Sequence, residues 1–229
     1  MTIPGTGVEL ELKVSLTPAG YERLRSSLPG RRDDVEQRNL FLDTVDARLA
    51  ASRWALRLRR QTVGGDPTQV IVTVKGPTTR VAGAVRRTEL ETDADDALWQ
   101  AALAGSLSSD EVGGPPGDFL RRELGPRAPL RRVLEFTNHR TTFGLDLAGA
   151  PRRLELDRTD YATGERDHEL EVEVEPDLAS SGAVAEAKAL LEVKAVWADL
   201  EALLAGLGVG VRPSPGGKLS RGMRYAGRD

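Results

Sequence analysis

Glu9, Glu11 and Lys13 alternate with Leu10 and Leu12 near the start of the chain. A period of two places the three charged side chains on one face of an extended strand. Two carboxylates so placed can hold a hard cation through oxygen ligands, and an ammonium two residues on can meet the anion which that cation accompanies. A single stretch of this kind also describes the wet face of an ordinary amphipathic strand. The distinction rests on whether other strands repeat it. They do: Arg57 and Arg59 alternate with Leu56 and Leu58, Thr73 and Lys75 with Val72 and Val74, and Glu155 and Asp157 with Leu154 and Leu156. Arg87, Glu89 and Glu91 share a face, as do Glu169, Glu171 and Glu173 against Leu170, Val172 and Val174, while Arg140 sits beside His139 and Asn138.

The charges are segregated by strand, some acidic and others basic, which implies a bipolar site rather than a solvated face with mixed signs. Like charges at i and i+2 lie about 7 Å apart and repel unless a cation or neighbouring bases compensate. The intervening positions are nearly all Leu and Val, so the apolar face must be covered from outside. The expected product is a barrel turned inside out, with a polar lumen and an apolar exterior under helices.

Period-two segments are expected near residues 8–16, 35–42, 54–62, 69–76, 85–92, 131–146, 152–158 and 168–175. Turn signals at Gly64-Gly65-Asp66-Pro67, Gly76-Pro77 and Ala162-Thr163-Gly164 make antiparallel hairpins the natural connection. Helices are expected after Thr17-Pro18, over 93–103, over 118–124 and over 182–207, the last ending at Gly206 and Gly208. The fold class is therefore α+β, an eight-stranded antiparallel barrel with a helical coat, in one domain over residues 1–229.

Composition narrows the chemistry. The chain has 229 residues, no cysteine and two histidines, His139 and His168, which excludes disulfides and disfavours both zinc sites and a Ser-His-Asp hydrolase. A net charge of −3 gives no general reason to expect nucleic acid. With no bilayer-length apolar run and no signal-peptide pattern, the expected compartment is the cytoplasm, without membrane association.

In order, Glu9-x-Glu11-x-Lys13, Leu40-Phe41-Leu42-Asp43-Thr44, Leu56-Arg57-Leu58-Arg59, Val74-Lys75-Gly76, Arg87-Thr88-Glu89-Leu90-Glu91, Glu169-x-Glu171-x-Glu173 and Gly217-Lys218-Leu219-Ser220-Arg221-Gly222 resemble the CYTH superfamily, also called triphosphate tunnel metalloenzymes. That group includes inorganic triphosphatases, thiamine triphosphatases and class IV adenylyl cyclases. The resemblance runs from Val8 to about Tyr225 and implies an eight-stranded tunnel. It implies Mg²⁺ or Mn²⁺ on Glu9, Glu11, Glu169, Glu171 and Glu173. It also implies a small triphosphate (tripolyphosphate, thiamine triphosphate or ATP) on Lys13, Arg57, Arg59, Lys75, Arg87, Arg140 and Lys218.

Such a ligand carries about four to five negative charges, so several fixed cations are needed to hold it away from water. Glu9, Glu11, Lys13 and Glu171 are the expected catalytic set, while Glu89, Glu91, Glu155 and Asp157 are expected to hold the lumen arginines in place. Lys218 is expected on a loop after Pro213-Ser214-Pro215-Gly216-Gly217. Leu40 and Asn138 depart from the family pattern, the latter where an arginine is common, so one lumen cation is expected to be missing. A stand-alone catalytic module is expected, since only a short tail follows Tyr225. Hydrolysis of the triphosphate, cyclisation of ATP with release of pyrophosphate, and non-catalytic polyphosphate binding are all open at this point, as is a homodimer through an outer face.

Overall fold

The computed structural model describes residues 7–63, 66–174, 183–214 and 216–227. Ten strands and six helices are seen among them. The first strand, β1 (Gly7–Ser15), is followed by α1 (Pro18–Ser27), which starts where Thr17 accepts a hydrogen bond from the Gly20 amide at 3.1 Å and Pro18 presets the first turn. Next come β2 (Arg31–Asp43), the short α2 (Arg48–Ala51), β3 (Ala55–Val63), β4 (Asp66–Lys75), β5 (Thr79–Val81) and β6 (Ala84–Ala94). The helices α3 (Asp96–Ala104) and α4 (Gly114–Leu124) precede β7 (Arg131–Leu147), β8 (Ala150–Tyr161) and β9 (Arg166–Glu173). After α5 (Ala183–Gly206), the two-residue β10 (Arg212–Pro213) and α6 (Lys218–Tyr225) complete the order.

Eight strands close into an antiparallel ring in the order β1, β9, β8, β7, β2, β3, β4, β6, with β6 pairing back to β1. β5 extends the sheet beyond β6, and β10 pairs with the end of β1. Closure divides β1 between two neighbours: Gly7 to Glu11 pair with β6, and Glu11 to Ser15 with β9.

The apolar face of the ring is covered by two coats. Leu10, Leu12, Leu154, Leu156, Leu170 and Val172 pack under α1 and α5 against Leu24, Val196, Leu200 and Leu204. Leu40, Leu42, Leu56, Leu58, Val72 and Val74 pack under α3 and α4 against Trp99, Phe119 and Leu120. Burying each such leucine contributes about 1.5–3 kcal/mol, and this apolar layer holds the charged inner face closed.

Differences from the sequence expectation have local causes. β6 continues to Ala94, so α3 starts at Asp96, where Asp95 caps it by accepting from the Leu98 amide at 2.9 Å. α4 begins at Gly114 rather than Asp118, because two prolines stand in its first turn, where no intrahelical donor is needed. β2 begins at Arg31, carried past residue 35 by the long β7 across a register irregularity between Arg31 and Asp34. The Gly64-Gly65 turn residues, residue 175, the helix start at Gly182, and Pro215 lie outside the described residues.

Lys218 is not on a loop but opens α6, with Gly217 as its N-cap. Leu219, Met223 and Tyr225 of α6 pack on Phe41, Leu134, Phe136 and Tyr161, at the end of the ring where β2 and β8 finish and β7 begins. Gly222 permits this approach, since a Cβ there would stand 2.6 Å from a Leu134 methyl and 2.8 Å from the Tyr161 ring.

Candidate functional site: a charged lumen

The inward face of the ring lines a cavity of about 1360 Å³. Lys13, Arg57, Arg59, Lys75, Arg87, Arg140 and Lys218 all line it, together with Glu9, Glu11, Glu89, Glu91, Glu155, Glu171 and Glu173. Strand period and register bring them together: Lys13 opposes Glu171 and Glu11 opposes Glu173 across β1 and β9, Glu171 opposes Glu155 and Glu169 opposes Asp157 across β9 and β8, and Arg140 opposes Asp157 on β7. Phe41, Phe136, Gln37, Asn39 and Asn138 also face the cavity. Asn138 donates to Gln37 at 3.1 Å and accepts from Thr159 at 2.8 Å, so a neutral amide network occupies the position where a cation was expected to be missing.

One wall is a balanced network. Glu171 accepts from Lys13 at 2.6 Å, Lys218 at 2.7 Å and Arg140 at 3.0 Å. Burial would raise its pKa, but those three cations hold it well below the usual carboxylate value. Arg140 also grips Asp157 at 2.8 and 2.6 Å through a fork and contacts Glu155. Lys218 reaches Asp157 at 2.9 Å and Glu169 at 3.0 Å as well. Burial pulls Lys13 and Lys218 down, yet their carboxylate partners raise both above the ordinary lysine value. Asp157 stays ionised, held at about 2 against burial by Arg140 and Lys218.

The opposite wall is short of negative charge. Arg57 is buried; it donates to Thr73 at 3.0 Å, but its Nε has no partner among the described residues. Glu91 lies 4.0 Å from its guanidinium. Arg59 donates to the neutral Asn39 at 3.2 Å and forms no ion pair among the described residues. Burial, with Arg57 and Arg140 nearby, brings Arg59 down to about 9. Burial, with Arg57 and Arg87 nearby, brings Lys75 down to about 8 even though Lys75 contacts Glu89. On this wall the buried cations crowd one another more closely than the carboxylates Glu89 and Glu91 compensate.

At the end of the lumen where β1 starts and β9 finishes, the imbalance reverses. Burial pushes the carboxyls of Glu9 and Glu173 up to about 7, reinforced by Glu11 for the first and Glu155 for the second. Arg87 contacts Glu9 at 2.6 Å, Glu11 at 3.1 Å and Glu89 at 2.7 Å. Glu173 forms no ion pair among the described residues, although Glu11 lies directly across from it. Crowded acids short of a counter-charge, offering only oxygen donors, suit a hard divalent cation. Among the described residues no three acidic or imidazole groups already stand together as a metal cage, so a cation here would displace lysine and arginine contacts.

Glu169 is placed differently from the other acids of β9. Both its oxygens are taken by Arg221, at 2.9 and 2.7 Å, and Ser214 donates to it at 2.6 Å. Arg221 stands within the Gly217–Gly222 motif, and its signal in the sequence is the three-residue spacing from Lys218, which puts both on one helix face.

The fold is a closed antiparallel tunnel with a charged lumen, covered by helices. Residues 7–198 match the CYTH domain, and the chain belongs to the CYTH family. No curated protein matches it. Among solved structures it is similar to HpAC1 of Hippeastrum, named as a candidate adenylyl cyclase that reveals a dominant triphosphatase activity, with 22% identity, a TM-score of 0.74, and coverage of 94% of this chain and 95% of that one. A Bacillus halodurans protein named as a candidate adenylate cyclase has 22% identity and a TM-score of 0.67, over 95% of this chain and 98% of that one. PH1819 of Pyrococcus horikoshii OT3 has 18% identity and a TM-score of 0.54, over 90% and 94%. At these identities the structures share the tunnel fold. No helix among the described residues is long and apolar enough to cross a membrane.

Proposed function

We propose that this chain is a metal-dependent triphosphatase that encloses tripolyphosphate, or a related small triphosphate, and hydrolyses its terminal phosphoanhydride bond. The carrying observation is the wall where buried cations crowd one another: Arg57 with an unpartnered buried Nε, Arg59 without a carboxylate, and Lys75 with a pKa brought down despite Glu89. Buried cations without counter-charge are costly unless a ligand supplies it. The Hippeastrum protein's dominant triphosphatase activity agrees with this reading.

In this reading Arg57, Arg59 and Lys75 grip the phosphate chain from one side, and Lys13, Arg87, Arg140 and Lys218 from the other. Glu11, Glu171 and Glu173 would hold Mg²⁺ or Mn²⁺, which when bound neutralises phosphate charge and polarises the attacking water. Glu9, with a carboxyl near 7 and Glu89 beside it held ionised, takes up the proton from that water. Glu89 and Glu91 on one wall, and Glu155 and Asp157 on the other, keep the cations extended into the lumen. The terminal phosphoryl leaves as orthophosphate, and the basic walls stabilise the developing charge on the diphosphate product.

The test is to incubate the protein with tripolyphosphate, ATP and thiamine triphosphate, with Mg²⁺ and then Mn²⁺, and to identify products. Orthophosphate from tripolyphosphate is expected. Cyclic AMP with pyrophosphate from ATP would transfer the function to a cyclase, and tight binding without turnover would leave a binding module.

A pH dependence follows from Lys75. In the free protein it loses its proton near pH 8 rather than at the ordinary lysine value, because of burial and then Arg57 and Arg87. A bound polyanion favours the charged form, so binding takes up a proton above about pH 8 and affinity falls as pH rises further. Below that pH, Lys75 is charged in both states and contributes no slope. Calorimetry without metal, in buffers of different ionisation enthalpy, is expected to show proton uptake growing from pH 7 to pH 9. The same uptake in Lys75→Met would refute this assignment.

A further inference from the structure

We infer that Arg221 is a positioning residue, a clamp whose work is to aim Lys218 into the lumen. The inference rests on the triphosphate-binding reading above. Arg221 is 3% exposed and lies one turn beyond Lys218 on α6, behind the lumen-lining Lys218 and on the same carboxylate, Glu169. Its guanidinium ties three separate segments together. It forks onto Glu169 of β9 at 2.9 and 2.7 Å, donates to Asp167 of the same strand at 2.6 Å, and donates to Ser214 at 3.1 Å and to the Gly216 carbonyl on the approach to α6.

Asp167 is held in turn by two phenols. Tyr161 donates to it at 2.9 Å and Tyr225, at the far end of α6, at 2.8 Å; the Tyr161 hydroxyl also lies 3.2 Å from the Lys218 carbonyl. The last residue of α6 is thus fixed to the carboxylate that Arg221 neutralises, and the first lies beside the phenol that shares it.

Geometry makes the coupling specific. Glu169 stands between the two cations, with its Oε2 receiving Arg221 at 2.7 Å and Lys218 at 3.0 Å. Glu169 is therefore immobilised by Arg221 and serves as one of three carboxylates that fix the Lys218 ammonium, with Asp157 and Glu171. A lysine has four rotatable bonds and gains precision from such fixing, whereas a guanidinium fork supplies orientation through its planar donors. Removing the fork leaves α6 seated by Leu219, Met223 and Tyr225 on the rim, with the Lys218 head group still facing Asp157 and Glu171 but no longer held by an immobilised Glu169.

The test is a double-mutant cycle on tripolyphosphate binding, with Arg221→Gln and Lys218→Met singly and together, and Arg221→Lys as a second variant that keeps the buried charge if Arg221→Gln fails to fold. With Lys218 present, loss of the fork is expected to weaken binding about tenfold, and in the Lys218→Met background less than about twofold. Equal losses in both backgrounds, or none in either, would overturn the proposal, since a general structural role moves both alike.

A second readout needs no ligand and separates failure of this proposal from failure of the triphosphate reading. Acylation of Lys218, followed by mass spectrometry against the exposed Lys194 as internal standard, is expected to be slow in the wild type. It is expected to accelerate about tenfold in Arg221→Gln or Arg221→Lys, the same 1.4 kcal/mol of lost restraint. An unchanged Lys218 rate in a folded variant overturns the proposal whether or not tripolyphosphate binds.

Discussion

Glu171→Gln is expected to cut tripolyphosphate hydrolysis by about 100-fold or more, the scale set by losing one preorganised charged group, while the protein still folds and still binds the substrate. Glu171 is the shared partner of Lys13, Lys218 and Arg140. Each keeps another carboxylate when Glu171 is neutralised: Glu11 for Lys13, Asp157 and Glu169 for Lys218, and Asp157 with Glu155 for Arg140. Each cation therefore keeps a counter-charge, and the leucine layer outside is untouched. The lumen becomes more positive, so metal-free tripolyphosphate binding should be unchanged or tighter while turnover falls. Calorimetry and single-turnover phosphate release separate the two quantities. Near-wild-type turnover at limiting metal would remove Glu171 from the reaction.

Arg140→Met acts on stability instead. It leaves Asp157, which is fully buried, and Glu155 and Glu171 beside it without the guanidinium that all three share. Removing one partner from a buried charge network costs about 3–5 kcal/mol, which lowers the melting temperature of a chain this size by roughly 10 °C. The pH dependence has a definite sign. Arg140 and Lys218 hold Asp157 at about 2 against burial, so its stabilisation is fully present above the ordinary aspartate value and is lost as pH falls toward 2. Without Arg140, Asp157 and Glu171 protonate at higher pH, so the gap between variant and wild type should narrow from pH 7 to pH 5. A gap that stays constant across that range would mean the loss arises from packing and not from charge.

The ring and its inner face were legible in the sequence because both are written in a local period of two. Leu10 and Leu12 against Glu9, Glu11 and Lys13 determine which side faces the helices without reference to another strand. Pairings between strands were not legible. That Glu169 would be clamped by Arg221, while Glu173 would be left without an ion pair among the described residues, depends on register and on where α6 lands.

α6 itself was hidden by its neighbours and composition. Pro213, Gly216 and Gly217 precede it and Gly222 interrupts it, so local propensity argues against a helix. The rim formed by Phe41, Leu134, Phe136 and Tyr161 overrides that propensity. The two phenylalanines on the inner face had no signal, since Leu40-Phe41-Leu42 reads as an apolar run without alternation.

The divided pairing of β1, first half on β6 and second half on β9, determines the order in which the molecule can be made. β1 has no complete set of neighbours until Arg166–Glu173 has been made. Until then the second half of β1 stands as an open edge, and closing such a long chain segment is slow because its entropy cost precedes its contacts. Glu9, Glu11 and Lys13 travel on that same strand, so polyphosphate affinity should appear in refolding only with the closing event. Its onset would time that step directly.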